Sequence, residues 1–216
     1  MNTRAQLLNR AANCYLGAEL LDEACRCFEQ LGDAARAARL HERQARWEQA
    51  ARRYERARVW ADAARCYQRC NLPLEAAECL LKAGERLEAA WVLADQAQRF
   101  QRARLVIQGL MTSSLAEALA LELVVARCEA GNGKPKRAAV GLRAVVMRLN
   151  ELGSGPERQR VESWAFAVAE RLQRPDLTAS LHAAAVVAGT PGAERRWEAW
   201  ALETLGDATG IPLEHL

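Results

Sequence analysis

Strand-forming residues are scarce in this chain. Half of its 216 residues are hydrophobic, but aromatics make up only 6%, and Ala and Leu far outnumber Val and Ile, a balance that favours helix over strand. The expected fold is all-α. No stretch approaches the roughly 18 to 20 uncharged apolar residues that span a bilayer, and the opening residues Met1 to Gln6 lack a basic segment followed by an apolar run. A cytoplasmic protein with no membrane partner is expected. The net charge of +3 is too small to make nucleic acid or an anionic membrane the default partner.

Catalytic signatures are missing too. The sequence has no phosphate-cradling glycine motif, nucleophile elbow or metalloprotease helix. Gly131-Asn132-Gly133-Lys134-Pro135 imitates a phosphate loop, yet no strand precedes it, and a helix stop followed by a proline start accounts for it. The chain is therefore expected to be no enzyme, with no catalytic residue, cofactor or metal. Its seven cysteines (Cys14, Cys25, Cys27, Cys66, Cys70, Cys79 and Cys128) are odd in number and fall inside helical patterns. They suit small core residues in a reducing compartment better than disulfides. Histidine occurs only at 41, 182 and 215, too few for the usual four converging zinc ligands. Lysine occurs only at 82, 134 and 136, so arginine carries most of the positive charge, a bias we read as coding composition.

What the chain does have is a period. From Arg10 to Ser113 a unit of thirteen residues recurs: acidic or polar, Ala, Ala or Cys, usually Arg, a small or apolar residue, then a large ring or aliphatic. It is clearest at Glu23–Phe28, Gln49–Tyr54, Asp62–Tyr67, Glu75–Leu80 and Glu88–Leu93, and weaker copies start at Arg10, Arg36 and Gln101, making eight. The second, third, sixth and often ninth positions share one helix face, and the fourth, seventh and eighth share the other. Pairs three apart, Arg26 with Glu29, Arg39 with Glu42 and Arg52 with Glu55, are expected on that polar face.

The eight units do not fit one rod. Thirteen residues at about 100° each leave successive apolar stripes about 140° out of line, so each unit has to break from the next. Gly17, Gly32-Asp33, Asn71-Leu72-Pro73 and Gly84 supply the punctuation at some junctions. Around Ala45 to Trp47, Arg58 to Trp60 and Ala97 to Arg99 the break follows from phase alone. Trp47 and Trp60 sit just before a helix restarts, either as staples or as core.

Beyond Ser113 longer helices are expected. Ser114 to Glu117 matches a capping box ahead of a helix to Ala130, and further helices are expected over Pro135 to Leu152, Glu157 to Gln173, Asp176 to Ala188 and Pro191 to Leu205, the last capped by Thr190. This gives three segments: 1–113, 114–206, and an irregular tail, 207–216.

The Ala-Ala-x-x-Tyr phrase, followed by a Gly-Asp or Asn-x-Pro turn and another Ala-Ala, resembles the tetratricopeptide-like α-solenoid superfamily in its short-helix variants. The resemblance covers Arg10 to about Ser113, and the standard 34-residue signature is not met. It implies an α-solenoid of stacked antiparallel helical hairpins that binds other proteins. The expectation is a bacterial scaffold or adaptor in a larger assembly, with a protein or peptide partner or self-association through solenoid ends.

Two surfaces are candidates. Between Arg36 and Arg69 ten Arg face only Glu42, Glu48, Glu55 and Asp62, and Arg39, Arg43, Arg52, Arg56, Arg65 and Arg69 form a stripe for an acidic peptide or, as the alternative function, a nucleic-acid backbone. The plain counter-reading is a solvated face balanced by Glu. Trp197 and Trp200 mark the second surface, at the end helix. His41 takes the sixth position, where other units carry rings, and is expected to pack rather than act as a base.

Overall fold

The computed structural model describes residues 3–206, which hold helices and no strand. The expected tail at 207–216 lies outside the described residues. The chain divides into two compact units, Met1–Ala97 and Gln98–Leu216. The first contains α1 (Thr3–Gly17), α2 (Leu21–Leu31), α3 (Ala34–Arg43), α4 (Trp47–Arg56), α5 (Trp60–Arg69), α6 (Pro73–Ala83) and α7 (Arg86–Asp95). The second contains α8 (Phe100–Ile107), α9 (Leu115–Gly131), α10 (Pro135–Arg148), α11 (Pro156–Leu172), α12 (Pro175–Val187) and α13 (Ala193–Leu205).

All three junctions without Gly or Pro, at Ala45 to Trp47, Arg58 to Trp60 and Ala97 to Arg99, are interrupted. The cause is a turn that recurs with the period. Glu19, Gly32, Ala45, Arg58, Asn71 and Gly84 all have left-handed backbones, with φ of 58°, 74°, 56°, 58°, 57° and 85°. Each donates its N–H to the carbonyl three residues back, and the next residue reaches the sixth-position carbonyl: Leu20 to Tyr15, Asp33 to Phe28, Arg46 to His41, Val59 to Tyr54, Leu72 to Tyr67 and Glu85 to Leu80, all at 2.9 Å. This Schellman closure satisfies carbonyls that the helix end would leave open. Gly17 does not serve as a stop; it lies in the last turn of α1, and the turn falls on Glu19, in phase with the others. The next left-handed residue, Gln98 at 53°, comes one residue late.

Main contacts in the first unit run between consecutive helices. The second- and third-position alanines, among them Ala37, Ala38, Ala50, Ala51, Ala63, Ala64, Ala76 and Ala77, are buried, and without longer side chains they let backbones approach. The sixth positions Phe28, Tyr54, Tyr67 and Leu80 are buried as well and fill the remaining space. Trp47 and Trp60, the first residues of α4 and α5, are half-buried, and each is covered by a cation of the following helix, Arg69 and Lys82, both 4.7 Å from the ring centroid.

In the second unit α9 packs on α8, α10 and α11, α12 on α10, α11 and α13. Ser114 caps α9, its Oγ accepting from Glu117 N at 3.2 Å, while Glu117 accepts from Ser113 N at 2.6 Å. Two expected boundaries move. Regular helix in α10 stops at Arg148 and ends as a 3-10 turn, Leu149–Glu151, because the carbonyls of Leu149 and Leu152 accept from the buried Arg158 guanidinium at 2.6 and 3.0 Å. The last helix begins at Ala193 rather than Pro191, and Thr190 is not its cap: its hydroxyl donates to Glu162 at 3.0 Å.

Candidate functional site

All six arginines of the predicted stripe are exposed. Their surroundings differ. Arg52 pairs with Glu48 at 2.5 Å, Arg65 with Glu42 and with Asp62 at 2.9 Å, and Arg69 lies over Trp47. Arg39, Arg43 and Arg56 make no ion pair among the described residues. Half of the stripe is thus engaged within the first unit.

The seventh-position glutamates explain where that charge goes. Glu42 of α3 accepts from Tyr54 of α4 at 2.9 Å and from Arg65 of α5, and Glu55 of α4 accepts from Tyr67 of α5 at 2.7 Å and from Lys82 of α6 at 3.4 Å. Glu29 of α2 faces His41 of α3 at 3.9 Å and pairs with Arg53 of α4. Each glutamate therefore bridges to the next helix through its sixth-position side chain, and to the helix after that through a cation. This replaces the pairs expected within single helices: Glu29, Glu42 and Glu55 are taken by Arg53, Arg65 and Lys82. Asp22 extends the pattern, accepting from Gln44 at 3.0 Å and Arg46 at 2.7 Å.

The electrostatics agree with that geometry. The Arg65 hydrogen bond holds the Glu42 carboxyl below its ordinary range against the opposing effect of burial, and Tyr54 assists. At Glu55 burial opposes ionisation, and the donors Tyr67, Lys82 and Cys79 together overcome it. Burial pushes the thiols of Cys66 up to about 11 and Cys79 up to about 12. They are inert core groups, not nucleophiles.

A second site lies in the other unit. Side chains of α11, α12 and α13 enclose a groove of about 900 Å³. Phe166, His182 and Trp200 form an aromatic wall, with ring centroids 4.7 Å apart for Phe166 and His182 and 5.4 Å for His182 and Trp200. Glu170, Arg174, Arg196 and Glu203 give it a charged rim. Burial, with a smaller effect of Arg196, pushes the His182 imidazole down to about 4, so it is neutral at pH 7. Of the two predicted tryptophans, Trp200 lines this groove. Trp197 is buried, 5.5 Å from Trp200, and supports the wall from within.

Sequence reasoning passed over Arg158 and Glu162, 3% exposed each and 2.7 Å apart. Arg158 also donates to Ala184 O at 2.9 Å, which ties α11 to α12 beneath the groove. The signal was present: both charges fall at helical spacing on the stripe that carries Ala165 and Ala169.

No protein-family model matches the sequence, and no curated protein or solved structure is significantly similar to it.

Proposed function

We propose that the chain is a non-enzymatic helical-repeat scaffold of the tetratricopeptide-like kind, cytoplasmic and part of a larger bacterial assembly, which holds a peptide segment of a protein partner. The observation that carries this reading is the α11–α13 groove: it has an aromatic wall, a rim of both charge signs and the volume of a small-ligand or side-chain pocket. Its buried titratable groups, Glu162 and His182, are committed to the fold. Glu162 is held by Arg158 and Thr190, and His182 is packed among rings, so the groove offers shape and stacking rather than proton transfer.

Within the first unit, stacking as antiparallel hairpins is supported by the polar bridges from each helix to the second one along, α2 to α4, α3 to α5 and α4 to α6. Such an array depends on neighbours for stability, as solenoids do. The alternative, a nucleic-acid binder using Arg39, Arg43, Arg52, Arg56, Arg65 and Arg69, is weakened by the intramolecular engagement of Arg52, Arg65 and Arg69.

A photo-crosslinking residue placed at Gln173 on the groove rim, and separately at Arg43, tests the proposal in cells. The expected outcome is one discrete protein adduct from Gln173 that is lost with Trp200→Ala. An adduct from Arg43 alone, or a nucleic-acid complex that dissolves as salt rises, overturns it.

A further inference from the structure

Two successive copies of the thirteen-residue unit, from Glu23 and from Arg36, each carry one departure from it. The third position reads Ala12, Cys25, Ala38, Ala51, Ala64, Ala77, Ala90 and Ala103, with Cys25 the lone exception. The sixth reads Tyr15, Phe28, His41, Tyr54, Tyr67, Leu80, Leu93 and Val106, where His41 is the one imidazole. The fold brings the two together: Cys25 Sγ of α2 lies 3.3 Å from His41 Nε2 of α3, and Glu29 Oε1 lies 3.9 Å from the same nitrogen. One ligand atom from each of the three lies within 4.8 Å of the others. Cys25 is 4% and His41 8% exposed, while Glu29 opens to solvent, so an ion would enter from the carboxylate side.

We propose that Cys25, Glu29 and His41 bind one divalent ion of the zinc class, joining α2 to α3 and leaving a fourth position to water. Thiolate, imidazole and carboxylate form the donor set that zinc prefers, and its bond lengths of about 2.3, 2.0 and 2.1 Å place tetrahedral ligand atoms about 3.4 to 3.6 Å apart. The observed 3.3 and 3.9 Å need shifts of about 0.2 and 0.5 Å, and the sulfur and carboxylate oxygen, within 4.8 Å of each other, have to settle at about 3.6 Å. On binding, the Cys25 S–H proton leaves to solvent and the sulfur lone pair forms the metal bond. His41 binds through Nε2 as the neutral ring with its proton on Nδ1, and Glu29 gives Oε1, the oxygen that Arg53 now holds, so the guanidinium has to shift to Oε2. Burial of the imidazole already favours its neutral form. The neighbouring charges are Asp22 and Arg46, which pair with each other, and Arg53. Thiolate and carboxylate cancel the ion's two charges, leaving that of Arg53 near solvent.

The repeat supplies its own controls. Cys25→Ala and His41→Tyr each restore the residue found in other units, so both are expected to keep the helical circular dichroism of the parent. Titrating the chelator-treated full chain with Co(II) is expected to give one equivalent of tetrahedral d–d bands with a thiolate-to-metal charge-transfer band, one proton released per ion, and displacement by Zn(II). Affinity is expected to fall about 100-fold or more in Cys25→Ala and His41→Tyr, and to stay unchanged in Cys66→Ala and Cys128→Ala. Should either repeat-restoring variant misfold, Glu29→Gln provides the check, with an affinity about tenfold weaker and the thiolate band retained. Absence of the thiolate band in the parent, or its survival in Cys25→Ala, overturns the proposal.

Discussion

Glu42 shows what a single position of the unit does. Its side chain is only 23% exposed and holds a phenol and a guanidinium from two different helices. Charge-assisted hydrogen bonds of this kind contribute more than exposed ion pairs, so Glu42→Gln is expected to destabilise by about 1–2 kcal/mol, measured by urea unfolding at pH 7. The sign of the pH dependence follows from the Arg65 contact. The folded carboxyl titrates below its ordinary value of 4.5, so the unfolded state takes up the proton first. The stabilisation is present above pH 4.5 and lost as pH falls through the depressed folded value. The gap between parent and Glu42→Gln should therefore narrow on acidification; a constant gap would mean that the carboxylate charge contributes nothing. The recurrence of Glu29, Glu42 and Glu55 thirteen apart was visible in the sequence, but their partners were not. Spacing within a helix suggested Arg26, Arg39 and Arg52, whereas the true donors come from α4, α5 and α6, and that depends on how closely alternate helices approach.

At the scale of the element, phase carried more information than punctuation. Ala45 and Arg58 are poor turn residues by identity, and they adopt the left-handed conformation because the apolar stripe cannot continue past them. That conformation costs an L-residue about 1–2 kcal/mol, while glycine adds about 0.5–1 kcal/mol of unfolded-state entropy. Ala45→Gly and Arg58→Gly are thus each expected to stabilise by up to about 1 kcal/mol, read as a higher urea midpoint at unchanged slope. Uninterrupted helix at these positions gives the opposite sign, since glycine inside a helix costs about 1 kcal/mol. Phase was less informative in the second unit, where the end of α10 and the start of α13 moved. There the buried Arg158 and Glu162 recruit the carbonyls of Leu149 and Leu152 and the Thr190 hydroxyl, tertiary demands that no local cap or proline signal reports.

Across the whole chain, helical class and the buried alanine face could be read from composition and period, but the α11–α13 groove could not, since its wall joins Phe166, His182 and Trp200 from three helices with no common spacing. The first unit makes a further demand at this scale. Its main contacts pass from each helix to the next, and the glutamate bridges reach only one helix further, so stability there is a sum of neighbour terms rather than one shared core. Such an array opens from its weakest end. That end is α1, where Ala12 is the one buried residue, whereas α4 and α5 are packed on both sides and bridged by Glu42 and Glu55. Hydrogen exchange followed by mass spectrometry on the full chain should show α1 amides exchanging first, then α2 and α3, with α4 and α5 protected longest. Glu42→Gln should speed exchange in α3 to α5 more than in α1. A single common exchange rate from α1 to α6 would show instead that the unit unfolds as one block, with its period shaping the helices but not the order in which they come apart.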